Sequence, residues 1–90
     1  MIRVRVPPVL RAVTGGARVL EAEGGTVREV FEDLARKHPA LGLHLFDERS
    51  SIRRNIICVH RDYVVRAGEM AGRAVDEGEE LILANAFAGG

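Results

Sequence analysis

The residues best suited to chemistry in this sequence are the last two, Gly89 and Gly90, which end in an α-carboxylate. That group has a reference pKa of about 3.5, so at neutral pH it is an anion and a weak nucleophile that can attack an activated phosphate. Glycine has no Cβ, so the pair could thread a narrow cleft closed to larger residues. A frayed terminus is equally consistent with the dipeptide alone, so its meaning depends on the elements that position it.

An apolar strand pattern leads into this dipeptide without a turn signal. The ends of a domain are usually loose unless something holds them. We therefore predict a folded domain over residues 1–85 and a flexible Gly-Gly tail over residues 86–90. Phe87 is a large apolar side chain three residues from the end, and it is either an anchor for a partner or a cap on the edge of the sheet.

Other residues offer weaker chemistry. Cys58 is the only cysteine, which excludes an internal disulfide and a metal site built from several thiolates. If Ile57 and Val59 face inward, Cys58 and His60 share the opposite face, but no charged partner is evident to lower the pKa of the thiol. The spacing of the three histidines matches no known metal site, and we predict none.

The composition limits the possible functions. Ninety residues make one domain, too small for a deep enclosed active site. Thirteen basic residues balance thirteen acidic ones, which argues against a nucleic-acid binder. No apolar run could span a bilayer and no secretory segment opens the chain, so we expect a cytoplasmic protein. Five arginines near the middle of the chain form a solvated face or a docking site for an acidic partner: Arg49, Arg53, Arg54, Arg61 and Arg66.

The pattern predicts the order β-β-α-β-β-β. Alternating or continuous apolar runs predict strands over residues 2–6, 18–22, 55–60, 63–66 and 80–84. A helix begins at Thr26, whose hydroxyl accepts from the Glu29 amide while Glu29 reaches back to the Thr26 amide, and it ends at Pro39. We expect one helical turn within residues 41–46, a mobile loop over 47–54, and a loop with a helical turn over 67–75.

The predicted helix is amphipathic. Its apolar stripe consists of Val27, Val30, Phe31, Leu34 and Ala35, and its polar face of Arg28, Glu29, Glu32, Asp33, Arg36 and Lys37. The first and last strands are both strongly apolar, so we place them side by side and parallel at the buried centre of the sheet. The predicted fold is α+β, a single-domain β-grasp in which a mixed sheet carries one main helix on one face.

The chain resembles a known family at several points, from Val6-Pro7-Pro8 and Thr14-Gly15-Gly16 to Gly25-Thr26, Ile57-Cys58-Val59-His60, Glu77-Gly78-Glu79 and Ala88-Gly89-Gly90. Together with the β-grasp order, these segments resemble the MoaD/ThiS family of ubiquitin-like sulfur carriers. Within that family the chain looks most like the cysteine-biosynthesis, or CysO-like, group. It departs from the family at His60, where asparagine is frequent, and near Asn85, where a proline is frequent.

The resemblance implies a carrier rather than an enzyme, with no catalytic side chain, no metal and no bound cofactor. A ubiquitin-activating-type enzyme would use ATP to adenylate Gly90, which then becomes a thiocarboxylate. Ala86, Phe87, Ala88 and Gly89 would form the tail that the partner binds. The other implied partners are a sulfurtransferase or sulfide source, a sulfur-accepting enzyme such as a PLP-dependent cysteine synthase, and a zinc protease; nucleic acid and membrane are not among them.

Three alternatives stay open beside this carrier. The same activated tail could be captured by lysine amines, which would make the chain a ubiquitin-like protein modifier. It could also be the small subunit of a molybdopterin synthase. Finally, it could be a plain β-grasp interaction domain with an idle tail.

Overall fold

The computed structural model describes residues 1–85, which form one sheet, two α-helices and two short 3-10 helices. The elements in chain order are β1 (Ile2–Arg5), β2 (Val19–Ala22), α1 (Val27–Lys37), α2 (Pro39–Leu45), β3 (Ile56–His60), β4 (Tyr63–Arg66) and β5 (Glu80–Asn85). The 3-10 helices span Pro8–Val13 and Ala67–Gly72. The predicted strand order is therefore confirmed, and each predicted strand lies within one residue of its observed bounds.

The sheet has the order β2-β1-β5-β3-β4, so the last strand in sequence lies in the middle. β1 and β5 are parallel, with Arg3 opposite Glu80 and Arg5 opposite Ile82. The other three pairings are antiparallel. Two strands far apart in sequence thus meet at the centre, which confirms the predicted mixed sheet and β-grasp topology.

The core lies between one face of this sheet and the two helices. Val4 of β1 and Leu81 of β5 point into it from the central strands, and Phe31 and Leu34 of α1 meet them from the helix side; all four are fully buried. Strand alternation leaves the other face of the sheet uncovered by any element within residues 1–85. We call it the open face.

α1 begins at the predicted cap, but with one different hydrogen bond. Thr26 Oγ1 accepts from the Glu29 N–H at 3.1 Å, as expected. The Glu29 carboxylate, however, accepts from the Gly25 N–H at 2.8 Å and not from the Thr26 amide. The segment before α1 runs alongside residues 73–75, where the Val75 N–H donates to the Gly25 carbonyl. In this conformation the Gly25 N–H faces the Glu29 carboxylate.

Asp33 was predicted on the polar face of α1, and this was wrong, because its side chain is buried. Its carboxylate accepts from the Glu23 N–H at 2.8 Å and pairs with Lys37 at 2.9 Å and with Arg36. The pKa of Asp33 is lowered most by the hydrogen bond from the Glu23 N–H and next by the hydrogen bond from the Lys37 side chain. Asp33 therefore ties the end of β2 to α1, a role that helical periodicity cannot reveal.

α2 is longer than the single turn predicted within residues 41–46. It starts at Pro39, directly after α1, and buries Leu41 and Leu45. Gly42 allows the two helices to approach closely, since a Cβ at that position would lie 2.9 Å from the Ala35 Cβ. Neither helix is long and apolar enough to cross a membrane, nor is any other helix within residues 1–85.

The segment predicted as a mobile loop, residues 47–54, contains a defined turn. Asp47 Oδ1 accepts from the Arg49 N–H at 2.9 Å and from the Ser51 N–H at 3.0 Å. Ile52 is buried and pairs with Phe46 across a short bridge. These contacts fix the path between α2 and β3, while the mobility of the segment stays a prediction.

Candidate functional site

The five residues predicted to form the site lie outside those that the structure describes: Ala86, Phe87, Ala88, Gly89 and Gly90. Their roles therefore stay predictions, as does the flexibility of the tail. What the structure describes is the point at which the chain passes from the domain into these five residues, and the surface around it.

β5 brings the chain to this point as the middle strand of the sheet. β1 pairs with it on one side and β3 on the other, so its backbone groups have partners on both sides. Leu81 and Leu83 point into the core and are buried. The direction and register of β5 are thereby fixed, because a shift of one residue would expose both leucines.

Asn85 is the last described residue, and it is held by backbone and side chain. It lies opposite Ile56 in the β3–β5 pairing, and the Asn55 Nδ2 donates to its Oδ1 at 2.9 Å. β5 thus extends one residue beyond the predicted 80–84. Sequence reasoning missed this pair, although two asparagines at the matched ends of neighbouring strands were a possible signal.

The open face of the sheet presents a row of side chains across the middle of β5 that is apolar except for Arg5. The row crosses all five strands through Val19, Arg5, Ile82, Val59 and Val64. Three of these side chains are substantially exposed: Val19 at 41%, Ile82 at 44% and Val64 at 55%. Ala84 and Ile57 continue the apolar surface toward the end of β5. This surface is well suited to bind an apolar patch of another protein.

Arginines flank this apolar surface on both sides of the end of β5. Arg5, Arg11 and Arg18 line a groove together with Pro7 and residues 82–84 of β5. The Arg11 Nε is held by the Val6 carbonyl at 3.2 Å, and the Arg5 Nε by the Glu80 carboxylate at 3.0 Å. On the other side, Arg66 lies opposite Ile57. We call Arg5, Arg11, Arg18 and Arg66 the arginine rim.

The five arginines predicted to cluster do not form one docking site. Arg66 belongs to the arginine rim, but Arg61 lies at the other end of β4, where it pairs with Glu79 and Asp76. Arg53 donates to the Leu43 carbonyl on the helix side of the domain. These arginines are close in sequence but not in space, because the β3–β4 hairpin places Arg61 at its turn and Arg66 at its open end.

The end of the sheet opposite the tail contains a buried polar cluster around His60. The Arg73 Nε donates to His60 Nδ1 at 2.9 Å, which places the ring proton on Nε2, and this nitrogen donates to Glu79 at 2.9 Å. Arg61 also donates to Glu79. The cluster joins the β3–β4 turn to the segment that precedes β5.

Glu79 is the charged centre of this cluster. Its carboxylate accepts from the Arg61 side chain, from the Asp76 N–H at 2.7 Å and from His60. These interactions, with Arg61 the largest contributor, lower the pKa of Glu79 to about 2. The cluster contacts no residue of the open face near Asn85, so we assign it to stability.

Cys58 and His60 share a face of β3, as predicted, but it is the inner face and not the exposed one. Cys58 is fully buried opposite Val65, while Ile57 and Val59 are half-exposed on the open face. The register with β5 decides this, because Cys58 lies opposite the buried Leu83. Burial raises the pKa of the thiol to about 12, which makes it unreactive.

Metal-ligating side chains are not grouped within residues 1–85. No three His, Cys, Asp or Glu side chains in that part of the chain lie close enough to hold a metal ion. His60 is committed to Arg73 and Glu79. The described part of the site therefore consists of an anchored strand end, an apolar open face and the arginine rim.

Comparison with known proteins gives the following similarities. No protein-family model matches the chain. The sulfur carrier protein CysO of Mycobacterium tuberculosis is 29% identical over 91 residues, covering 99% of this chain and 98% of the relative. The crystal structure of M. tuberculosis CysO, an antigen, superposes with a TM-score of 0.81 at 26% identity, over 97% of this chain and all of the other.

Two further structures are similar over the whole chain. A chain of the Amycolatopsis orientalis BexX/CysO complex gives a TM-score of 0.77 at 29% identity and covers 100% of both chains. SAMP1 from Haloferax volcanii gives a TM-score of 0.77 at 24% identity, over 99% of this chain and 98% of the other. At 24% identity, the similarity to SAMP1 concerns the fold alone.

Proposed function

We propose that the chain is a ubiquitin-like sulfur carrier of the CysO group, a carrier protein and not an enzyme, and that Gly90 carries the sulfur as a thiocarboxylate. A partner enzyme adenylates the Gly90 carboxylate with ATP and releases pyrophosphate. A sulfur nucleophile then displaces AMP. The resulting thioacid donates its sulfur in the biosynthesis of cysteine or another sulfur-containing metabolite.

The observation that carries this proposal is the anchoring of β5. Hydrogen bonds to β1 and β3 and the bond from Asn55 fix the chain up to Asn85, five residues before Gly90. A rigid strand followed by five small or apolar residues can present a carboxylate to an active site on another protein. No side chain of this chain needs to act in the chemistry, because adenylation itself makes the carboxyl carbon electrophilic.

The open face supports a partner that binds the sheet and the tail together. Ile82 and Ala84 lie on this face in the same strand that leads into the tail, with Val59 and Ile57 beside them on β3. A partner with an apolar patch and acidic groups at its border would complement both this surface and the arginine rim. Binding there would orient the tail toward the active site of that partner.

We propose four kinds of partner for this chemistry. They are an adenylating enzyme of the ubiquitin-activating type, a sulfurtransferase or sulfide source, an enzyme that accepts the sulfur, and a zinc protease that acts on precursors extended beyond Gly90. A PLP-dependent cysteine synthase is the first candidate for the acceptor. ATP is consumed by the adenylating enzyme in the cytoplasm, and the carrier itself needs no cofactor.

A second candidate function is protein modification, favoured by the shared fold with SAMP1, a small archaeal modifier protein. Modification begins with the same adenylate but ends in an amide between Gly90 and a lysine of the target. Conjugates of high mass that appear in cells and vanish when Gly90 is deleted would identify a modifier. The absence of conjugates, together with thiocarboxylate in the free chain, would identify a carrier.

The adenylation step is tested by the exchange of labelled pyrophosphate into ATP, with the adenylating enzyme from the same cells. We expect exchange with the intact chain and none when Gly90 is deleted. Gly89→Val should also abolish exchange, because a Cβ-branched side chain would block the cleft, and it should leave the melting temperature unchanged. Undiminished exchange after deletion of Gly90 would refute the proposal.

A further inference from the structure

Lysine is almost absent from this chain. Of its thirteen basic residues, twelve are arginines and one is a lysine, Lys37. The difference matters chemically, because an amine that loses its proton attacks activated acyl groups, whereas the guanidinium group stays protonated at neutral pH. The chain thus has two amines that an activated carboxyl group could acylate, the Lys37 side chain and the α-amine of Met1.

Both amines lie at the end of the sheet opposite the tail. The Lys37 Nζ pairs with Asp33 at 2.9 Å and lies 3.5 Å from the Glu21 carbonyl, at the end of β2. The α-amine of Met1 pairs with Glu77 in the turn before β5. In both ion pairs the amine lies against a carboxylate.

The five residues of the tail are too short for Gly90 to meet Lys37 easily. Glu21 lies opposite Arg3, which lies opposite Glu80, so Lys37 is near the start of β5. The distance from there to Asn85 is about 17 Å along the strand and about 10 Å across two strand spacings, or about 20 Å directly. Five residues span at most about 18 Å when fully extended. The tail would also have to run back against the direction of β5.

Within reach of the tail, positive charge comes from arginine. The arginine rim surrounds the end of β5, with Arg18 in the groove beside Ala84 and Arg66 two strands away from it. The one thiol is also protected, since Cys58 is buried in the core. The surroundings of the tail therefore provide charge without a strong nucleophile.

We propose that this arrangement keeps the activated carboxyl group of Gly90 from acylating its own chain. In the reaction that it prevents, an amine attacks the Gly90 carbonyl carbon, a C–N bond forms, the bond to the leaving group breaks, and the amine loses a proton to water. AMP leaves from an adenylate and a thiol leaves from a thioester. The inference rests on the proposed function, because only an activated Gly90 needs such protection.

The test uses a Gly90 thioester, made by expressing the chain as an intein fusion and releasing it with a small thiol, so that no activating enzyme is needed. Arg18→Lys and Arg66→Lys place an amine near the tail and keep the charge. The matched control, Arg36→Lys, adds a lysine at an exposed position of α1 beside Lys37. Urea unfolding of the free acids verifies that all four proteins are folded.

We expect the wild type and the Arg36→Lys control to hydrolyse to the free acid. Arg18→Lys and Arg66→Lys should form an internal amide that is lighter than the free acid by one water, with peptide mapping joining Gly90 to the new lysine. At low micromolar protein, the rim variants should form this amide about a hundredfold faster than any amide forms between separate chains, because joining two groups through a short linker gives a millimolar effective concentration.

Hydrolysis of both rim variants at the wild-type rate, without amide, would overturn the inference. An internal amide at Lys37 or Met1 of the wild type would overturn it as well. The proposed function is tested separately, by pyrophosphate exchange with the wild-type free acid. A failure of exchange refutes the function, whereas a failure of the thioester test refutes only the protection.

Discussion

Ile82 is the central apolar side chain of the open face, and we expect its truncation to weaken the binding of the adenylating enzyme. Full burial of an isoleucine side chain contributes ~1.5–3 kcal/mol. In the free domain 44% of Ile82 is exposed, so docking can bury at most that share, which corresponds to ~0.7–1.3 kcal/mol. A loss of about 1 kcal/mol is about a fivefold change in affinity.

The assay is the steady-state rate of pyrophosphate release as a function of carrier concentration. Ile82→Ala should raise KM for the carrier about fivefold and leave kcat unchanged, because the tail that reacts is untouched. Leu43→Ala is the matched control, since Leu43 is 73% exposed but lies on α2, on the other side of the domain. Urea unfolding of each variant verifies that the measured protein is folded.

Two results would refute this reasoning. An unchanged KM for Ile82→Ala would show that the partner does not contact the open face. An equal rise in KM for Leu43→Ala would place the contact on the helices or make it non-specific. Either result would leave the tail as the proposed route of recognition and remove the role of the sheet.

Three further predictions concern stability. Phe31→Ala should lower the free energy of unfolding in urea by about 3–5 kcal/mol, because Phe31 is fully buried in the core; a loss below 1 kcal/mol would contradict its placement. Thr26→Ala should cost about 1 kcal/mol in the same assay, through loss of the hydrogen bond to the Glu29 amide, and Thr26→Ser should restore most of it. Glu79 should stabilise the fold above pH ~4.5 and lose this contribution as the pH falls toward about 2, because its pKa is lower in the folded state. Acid titration of Glu79→Gln should therefore show a shallower loss of stability over this range, and an identical slope would contradict the assigned pKa.

The elements that follow from local patterns were predictable from the sequence. Alternation fixes β1 because Ile2 and Val4 must share the buried face, and α1 begins where Thr26 can satisfy free amides of the first turn. The central position of β5 also followed, because the first and last strands are both strongly apolar and were placed side by side. These features depend on residues that are close in sequence or on the number of apolar side chains.

The features that were missed depend on partners that are distant in sequence. Asp33 looks like a surface residue of a helix until the Glu23 amide is placed beside it. His60 looks like an ordinary strand residue until Arg73 and Glu79 are placed beside its ring. The register between β3 and β5 decides on which face of the sheet Cys58 lies. The alternation of residues along β3 alone is consistent with either face.

The candidate site was predictable only in part, for a related reason. A terminal Gly-Gly can be recognised in the sequence, and Gly90 stays the predicted site of modification. The surface around the end of β5 is built from four segments: the end of β1 with the following 3-10 helix, Arg18 with the start of β2, the β3–β4 hairpin, and β5 itself. Arg18 and Arg66 are 48 positions apart in the chain, so only the sheet topology shows that they flank the same strand end.

The central claim is that Gly90 becomes a thiocarboxylate. The most direct measurement is the intact mass of the chain after incubation with ATP, a sulfide source and the adenylating enzyme. The account predicts a gain equal to the replacement of one oxygen by sulfur, located in the peptide that ends at Gly90 and absent when Gly90 is deleted. An unchanged mass, with an enzyme whose pyrophosphate exchange shows it to be active on the chain, would contradict it.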